Sequence, residues 1–370
     1  MDLAQAAALT AALGRTLQAI LSPLLALLLG AGLAASPALA ALPPGNAVTD
    51  PAAILRDALP IHQTDLQELQ HRLEATSDDL RAKRWSALLG NVRRSQSLLA
   101  TRRQTILTSL PPGSQEQAAA LLDQLSEDLQ TLAASSEAAN REAFLADRRV
   151  ALTRVGQLEN LLVGDFPFAI PAEFDALPRL LGRASVAIET TKGPLTVVVD
   201  GYNAPLTAGA FVDLVQKGFY DGLPFTRAED FYVLQTGDPK GSASGYIDPK
   251  TKTERHVPLE IMVPGQKEPF YNQTFEDLGM FKATPVLPFA TLGTLGWAHS
   301  DEALDDGSSQ FFFFLYEAEL TPAGLNLVDG RYSAFGYVVD GFDVLEELGV
   351  EDGIVRAKLI EGGEHLQAHA

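Results

Sequence analysis

Arg227 and Gln235 stand eight residues apart, the first ending Pro224-Phe225-Thr226-Arg227 and the second ending Tyr232-Val233-Leu234-Gln235. An arginine keeps its charge at any physiological pH, and its planar fork can be oriented by a neighbouring side chain. A cation fixed beside a dry apolar pocket can stabilise charge developing in a substrate without an acid, a base or a covalent intermediate. Apolar partners are supplied by Ser308-Ser309-Gln310-Phe311-Phe312-Phe313 and by the stretch Asp329-Gly330-Arg331-Tyr332 leading into Phe335-Gly336. Each fragment alone has a plainer reading: a surface ion pair for the Arg, a core strand for the Phe run, a hairpin for Asp-Gly. Other chemistries fare worse. The chain has no Cys, which removes disulfides, thiol catalysis and thiolate metal sites. Gly241-Ser242-Ala243-Ser244-Gly245 carries Ala where a hydrolase elbow needs its Ser. His299, Asp301, Glu302, Asp305 and Asp306 lack the spacing of a calcium loop and read as an acidic, solvated turn. Neither a dinucleotide fingerprint nor a P-loop is present.

The order and spacing of these blocks resemble the cyclophilin family of peptidyl-prolyl isomerases. That family shows F-x-R, then F-x-x-Q-G-G-D, then G-S-Q-F-F, then D-G-x-H-x-x-F-G. The resemblance covers about the last 180 residues. It implies a closed antiparallel β-barrel with flanking helices and catalysis of cis–trans isomerisation at X-Pro bonds, with no cofactor and no metal. Rotation about such a bond faces a barrier of about 20 kcal/mol from amide resonance. A donor near the prolyl nitrogen lowers it by stabilising the twisted amide.

By the resemblance, Arg227 is that donor and Gln235 orients it. The substrate groove falls on Tyr232 (usually Phe), Val233 (usually Met), Phe312, Leu327 (commonly Trp) and Tyr332 (commonly His), with Ala298 and His299 on the backbone segment that pairs with substrate. Leu327 lacks the indole donor associated with tight cyclosporin binding, which implies weak drug sensitivity. Residues 246–290 depart further, and the loop from Thr253 to Gly279 is longer than in a minimal cyclophilin.

The elements around these blocks suggest several domains. From Leu17 to Ala35 the chain is almost wholly apolar and then reads Ala38-Leu39-Ala40, so residues 1–40 are expected to be a signal peptide cut after Ala40. An uncleaved anchor is the competing reading. Residues 41–163 are expected to form an all-α helical bundle. Thr64-Asp65-Leu66-Gln67 and Ser114-Gln115-Glu116-Gln117 read as capping boxes, and apolar residues follow at helical spacing from Leu66 to Ile106 and from Leu121 to Leu162. Two long antiparallel helices result, with breaks expected near Gly90 and near Ser135-Ser136. Residues 164–182, with Pro167, Pro171, Pro178, Phe166, Phe168 and Phe174, read as a linker whose aromatics pack on a domain. Residues 183–363 take the period of a barrel, with a hairpin over 186–199 and a helix from Ala204 to Val215, and 364–370 is left as a tail.

The formal charge is -19, and residues 183–363 alone carry 13 basic and 27 acidic side chains. A nucleic-acid partner is therefore not expected. The bundle holds the opposite feature: Arg81, Lys83, Arg84, Arg93, Arg94, Arg102 and Arg103 occur without an acid between Arg81 and Ile106. This is a solvated helix face, a lipid-facing surface or a face that docks on the chain's own acidic half. The arrangement is similar to the large multidomain cyclophilins of the thylakoid lumen and cyanobacteria. That likeness implies an exported protein of the thylakoid lumen or periplasm acting on proline-containing segments, with photosystem II subunits among the candidate partners. Two functions remain open: an isomerase, or a weakly active cyclophilin that serves as a chaperone or assembly factor.

Overall fold

The computed structural model describes residues 49–239, 241, 243–315 and 328–368. The expected signal peptide and Leu327 lie outside the described residues. Among the described residues no helix is long and apolar enough to cross a membrane.

The helical part opens with a short helix, α1 (Pro51–Asp57). Pro51 supplies the preset φ of a first turn, and Asp50 caps it by accepting from the Ala52 N–H at 3.0 Å. Five further helices follow: α2 (Thr64–Glu74), α3 (Thr76–Arg81), α4 (Trp85–Ser109), α5 (Gln115–Glu137) and α6 (Arg141–Leu162). Leu66, Leu69, Leu88, Val92, Leu122, Leu125, Leu129, Phe144 and Val155 are fully buried in a core of their own. This is the apolar stripe of the sequence closed on itself.

Three local expectations are corrected. The cap of α2 is Gln63, whose Oε1 accepts from the Leu66 N–H at 2.7 Å, so Thr64 is already helical. Ser114 makes no side-chain cap, because a 3-10 turn over Pro112–Ser114 leads straight into α5. Gly90 breaks nothing: it lies inside α4, and the first long run divides instead at residues 75–84. There Lys83 takes a left-handed φ of 54° and the Arg84 N–H reaches back to the Asp79 carbonyl at 2.8 Å. The second break repeats the device, with Ala139 at φ 49° and the Asn140 N–H on the Ser135 carbonyl at 3.1 Å. Both are six-to-one helix ends of the kind glycine usually makes. Lysine and alanine make them here, so glycine was a poor guide to the breaks.

The second half is built on an eight-stranded antiparallel sheet of order β11-β2-β3-β10-β8-β9-β5-β4. Its strands are β2 (Arg183–Thr190), β3 (Pro194–Asp200), β4 (Arg227–Glu229), β5 (Val233–Thr236), β8 (Thr294–Trp297), β9 (Phe311–Phe314), β10 (Ala334–Asp340) and β11 (Ile354–Glu361). The sheet curls, and a single bridge between Pro224 and Gly353, just ahead of the two edge strands, joins its ends. Helix α7 (Pro205–Gln216) is buried from Pro205 to Val215 and brings Phe211 against Tyr220, Phe311 and Phe335. The last helix is α8 (Phe342–Glu346). The flanking ends belong to this unit, since β1 (Arg179–Leu180) pairs with β12 (Leu366–Gln367). In the stretch before β1, Phe166 and Phe168 pack on each other and Phe174 packs on Tyr271, with ring centroids 4.6 and 4.9 Å apart.

The long loop has its own small core of Leu259, Ile261, Val263 and Phe275 and a two-stranded ladder of β6 (Glu260–Ile261) and β7 (Phe270–Tyr271). Glu260 anchors it. Its buried carboxylate accepts from the Leu206 and Thr207 N–H groups and from Thr207 Oγ1, each at 3.1 Å, at the N-terminus of α7. Burial outweighs those donors and pushes the Glu260 carboxyl up to about 7.

Helix α1 belongs to both halves. Ile54, Leu55 and Ala58 are buried in the barrel core, while Arg56 and Asp57 hold α2. Arg183 donates to the Leu55 carbonyl and to the buried Asp200, and Asn203 Nδ2 donates to the Ala58 carbonyl at 2.9 Å. Four cations of the basic stretch, Arg84, Arg93, Arg102 and Arg103, pair with Asp79, Glu137, Asp65 and Asp123 of the bundle itself.

Candidate functional site

Antiparallel register puts the scattered blocks in one line. Arg227 of β4 lies opposite Gln235 of β5, Gln235 opposite Phe312 of β9, and Phe312 opposite Gly296 of β8. Because side chains alternate along a strand, this row shares one face of the sheet, while Phe311 and Phe313 turn into the core. Gly296 is needed there: a Cβ at that position would lie 2.2 Å from Phe312 Cζ. The bare backbone gives the Phe312 ring its bed.

Aromatic walls rise around that ring. Phe289 stacks on it at 5.8 Å with planes 13° apart, and Tyr332 meets it edge-on at 5.4 Å and 88°. Asp329 holds the Phe289 wall by accepting from its N–H at 2.8 Å, and burial pushes the Asp329 carboxyl up to about 6. Tyr332 lies against the His299 ring at 4.7 Å. The His299 ring nitrogens sit 2.8 Å from the carbonyls of Ser300 and Arg331, which ties two loops together. Burial raises the Tyr332 hydroxyl above its ordinary value, with the neighbouring Tyr232 and Asp301 adding to the effect. Val233 is buried opposite Phe314, and Tyr232 lies edge-on to Phe314 at 6.2 Å. The Ala298 N–H is committed to the Gln310 carbonyl at 3.0 Å.

Arg227 stands at the open end of the row. All of β4 is exposed, and the guanidinium carbon lies 5.9 Å from the Tyr232 ring centroid. Its hydrogen-bond partner is Glu229, not Gln235: Arg227 Nε and Nη2 both lie 2.7 Å from Glu229 Oε1. Gln235 donates instead to Gln310 Oε1 at 2.8 Å, and Gln310 Nε2 donates to the Ser244 carbonyl. Glu229 and Phe289 were not anticipated from sequence. Glu229 had a usable signal, since it follows Arg227 by two in a strand and so shares its face. Phe289 comes from a loop and had none.

Outside this face, Asp57, His71 and Glu74 bring three ligand-type atoms within 4.8 Å of one another. Arg56 already sits on Glu74 Oε1 there with two hydrogen bonds, at 3.0 and 2.7 Å.

Residues 185–358 match the family described as cyclophilin type peptidyl-prolyl cis-trans isomerase/CLD. Residues 50–163 match the PsbQ-like domain of the family described as peptidyl-prolyl cis-trans isomerase CYP38-like. The chain is 52% identical over 328 residues to a Synechocystis protein named for a thylakoid lumen peptidyl-prolyl cis-trans isomerase, covering 89% of this chain and 86% of that one. It is 40% identical over 333 residues to the chloroplastic peptidyl-prolyl cis-trans isomerase CYP38 of Arabidopsis thaliana, covering 87% and 76%. With the chloroplastic CYP37 of the same plant it shares 30% identity over 339 residues, covering 84% and 69%.

Proposed function

The chain belongs to the cyclophilin-type peptidyl-prolyl cis–trans isomerases, and we propose that it turns X-Pro bonds in the groove lined by Phe312, Phe289 and Tyr332. The observation that carries this reading is the row Arg227–Gln235–Phe312–Gly296, which sets a cation at the rim of an aromatic bed. The bed grips the prolyl ring and excludes water from the rotating bond. In the twisted amide the nitrogen regains its lone pair, and an N–H of Arg227 donates to it. The ground-state amide nitrogen, its lone pair delocalised, accepts poorly, so the contact strengthens where the barrier is highest.

The name of the Synechocystis relative supports work in the thylakoid lumen, and we extend the proposal to exported clients there, photosystem II subunits among them. A second reading is favoured by one observation: the Arg227 guanidinium is already engaged by Glu229. A groove in that state could hold a proline-containing segment as a chaperone while turning it slowly. Isomerisation of an Ala-Pro model peptide by the full chain, beside Arg227→Ala, separates the two. A loss of tenfold or more in kcat/KM, about 1.4 kcal/mol of transition-state stabilisation, supports catalysis by Arg227. Wild type and variant both matching the uncatalysed rate would leave the chaperone.

A further inference from the structure

Glu229 stands on the same face of β4 as Arg227 and two residues beyond it. Its place is fixed from behind. The hairpin from β4 to β5 closes with the Tyr232 N–H on the Glu229 carbonyl at 3.0 Å, and Glu229 pairs in register with Val233. The turn is tight enough to hold Phe231 at a left-handed φ of 59°, which a bulky side chain rarely adopts. The carboxylate that meets Arg227 is therefore carried by a constrained backbone. Meanwhile Gln235 spends its amide N–H on Gln310, which is itself tied to the Ser244 carbonyl.

We propose that Glu229 is a positioning residue for isomerisation, a latch that holds the Arg227 guanidinium in the resting groove and gives it up only as the prolyl amide twists. The proposal rests on the reading of the groove as an isomerase site. Both side chains are about half exposed, at 49% and 50%, so water screens the pair and the twisted amide can displace it. The latch has a consequence for rate. A carboxylate on the guanidinium cancels the charge that the twisted amide needs, and it does so most where that charge matters, in the transition state. Its removal should therefore act on kcat more than on KM.

The test uses the full chain and an Ala-Pro peptide. Glu229→Gln keeps an acceptor of the same size and removes the charge, and it should raise kcat by about two- to fivefold with KM nearly unchanged, the range open to an exposed pair. The double variant Glu229→Gln/Arg227→Ala should be no faster than Arg227→Ala, because the latch acts only through Arg227. A readout independent of turnover is the Arg227 Nε–Hε resonance, assigned by its loss in Arg227→Lys. It should move in Glu229→Gln, while peptide should leave the wild-type resonance near its free position, because the pair persists until the amide twists. An unchanged kcat in Glu229→Gln, or a resonance indifferent to the substitution, overturns the latch. If wild type shows no catalysis, the isomerase reading of the resting chain fails. Activity appearing in Glu229→Gln would then sustain the latch, and continued silence would overturn it.

Discussion

Tyr332 stands edge-on to Phe312, their ring centroids 5.4 Å apart and their planes at 88°. The pair forms one corner of the groove, and its ring contact rather than its hydroxyl does the packing. Tyr332→Phe should leave kcat/KM within about twofold, whereas Tyr332→Ala should raise KM by about fivefold, as the loss of an aromatic pair near 1 kcal/mol requires. Steady-state kinetics on the two variants checks this, and equal losses in both would assign the role to the hydroxyl.

Gly296 offers a sharper lesion. A single methyl there would need the space of Phe312 Cζ, so Gly296→Ala must push the ring off its bed. Overpacking of this kind costs about 1–3 kcal/mol, which the fold can bear. The expected result is a folded chain by circular dichroism with kcat/KM reduced tenfold or more. Unaltered kinetics would mean that the Phe312 ring does not form the floor.

How much of this was legible in the sequence depends on the link in question. Arg227, Gln235 and Phe312 could be named because the blocks keep their order, and cross-strand register then places them side by side. The helical stripe was equally readable, since Leu66, Leu69 and Leu73 repeat at the spacing of a helix face and all three are buried. The partner of Arg227 was legible only as far as Glu229 sharing its strand face; that the two side chains meet depends on rotamers, which the sequence does not specify. The helix breaks were not readable: they fall at Lys83 and Ala139, two exposed residues held in left-handed backbone by the hydrogen bond that closes each helix end. The dual membership of α1 left no trace, because a seven-residue helix shows too little periodicity to reveal two buried faces.

Stability should rise in mild acid. Glu159 is fully buried on α6 with neither carboxylate oxygen hydrogen-bonded, and burial pushes it up to about 8. Glu260 and Asp329 are pushed up to about 7 and 6. For each, the folded value lies above the unfolded one, so the folded chain binds protons more tightly. Their stabilising contribution is complete below the usual carboxylate range and is lost as pH climbs through 6 to 8. Asp277 and Asp352, held below their usual range by hydrogen bonds from Thr274 and Thr191, act in the opposite sense at lower pH. Tm should therefore be higher at about pH 5.5 than at about pH 8.5, by about 3 °C or more, and Glu159→Gln should flatten the difference. A Tm that climbs with pH across that range would contradict the assignment.

The junction between the halves should be sensitive to one amide. Asn203 is buried, and its Nδ2 serves both the Ala58 carbonyl at 2.9 Å and Asp200 Oδ1 at 3.1 Å. Asn203→Ala strands the Ala58 carbonyl and should cost about 1–3 kcal/mol. Limited proteolysis should then cut near residues 58–63 faster than in wild type. Neutralising Arg93 and Arg103 should leave that cleavage unchanged, because their partners Glu137 and Asp123 lie within the bundle. Cleavage that depends on those arginines and not on Asn203 would relocate the contact.

The two attachments of α1 also set an order of events for a chain that emerges from its N-terminus. Arg183 and Asn203 lie 128 and 145 residues beyond the carbonyls they hold. The bundle can close early, since its helices contact neighbours in sequence, but the barrel face of α1 must wait, its apolar side uncovered, until β2 and β3 exist. Among the described helices, the first one made is thus the last to be finished. In refolding experiments, a fluorescent label on α1 should report its docking as a late phase, after the bundle signal is complete. Until that docking, Ile54 and Leu55 stay open to capture by other apolar surfaces.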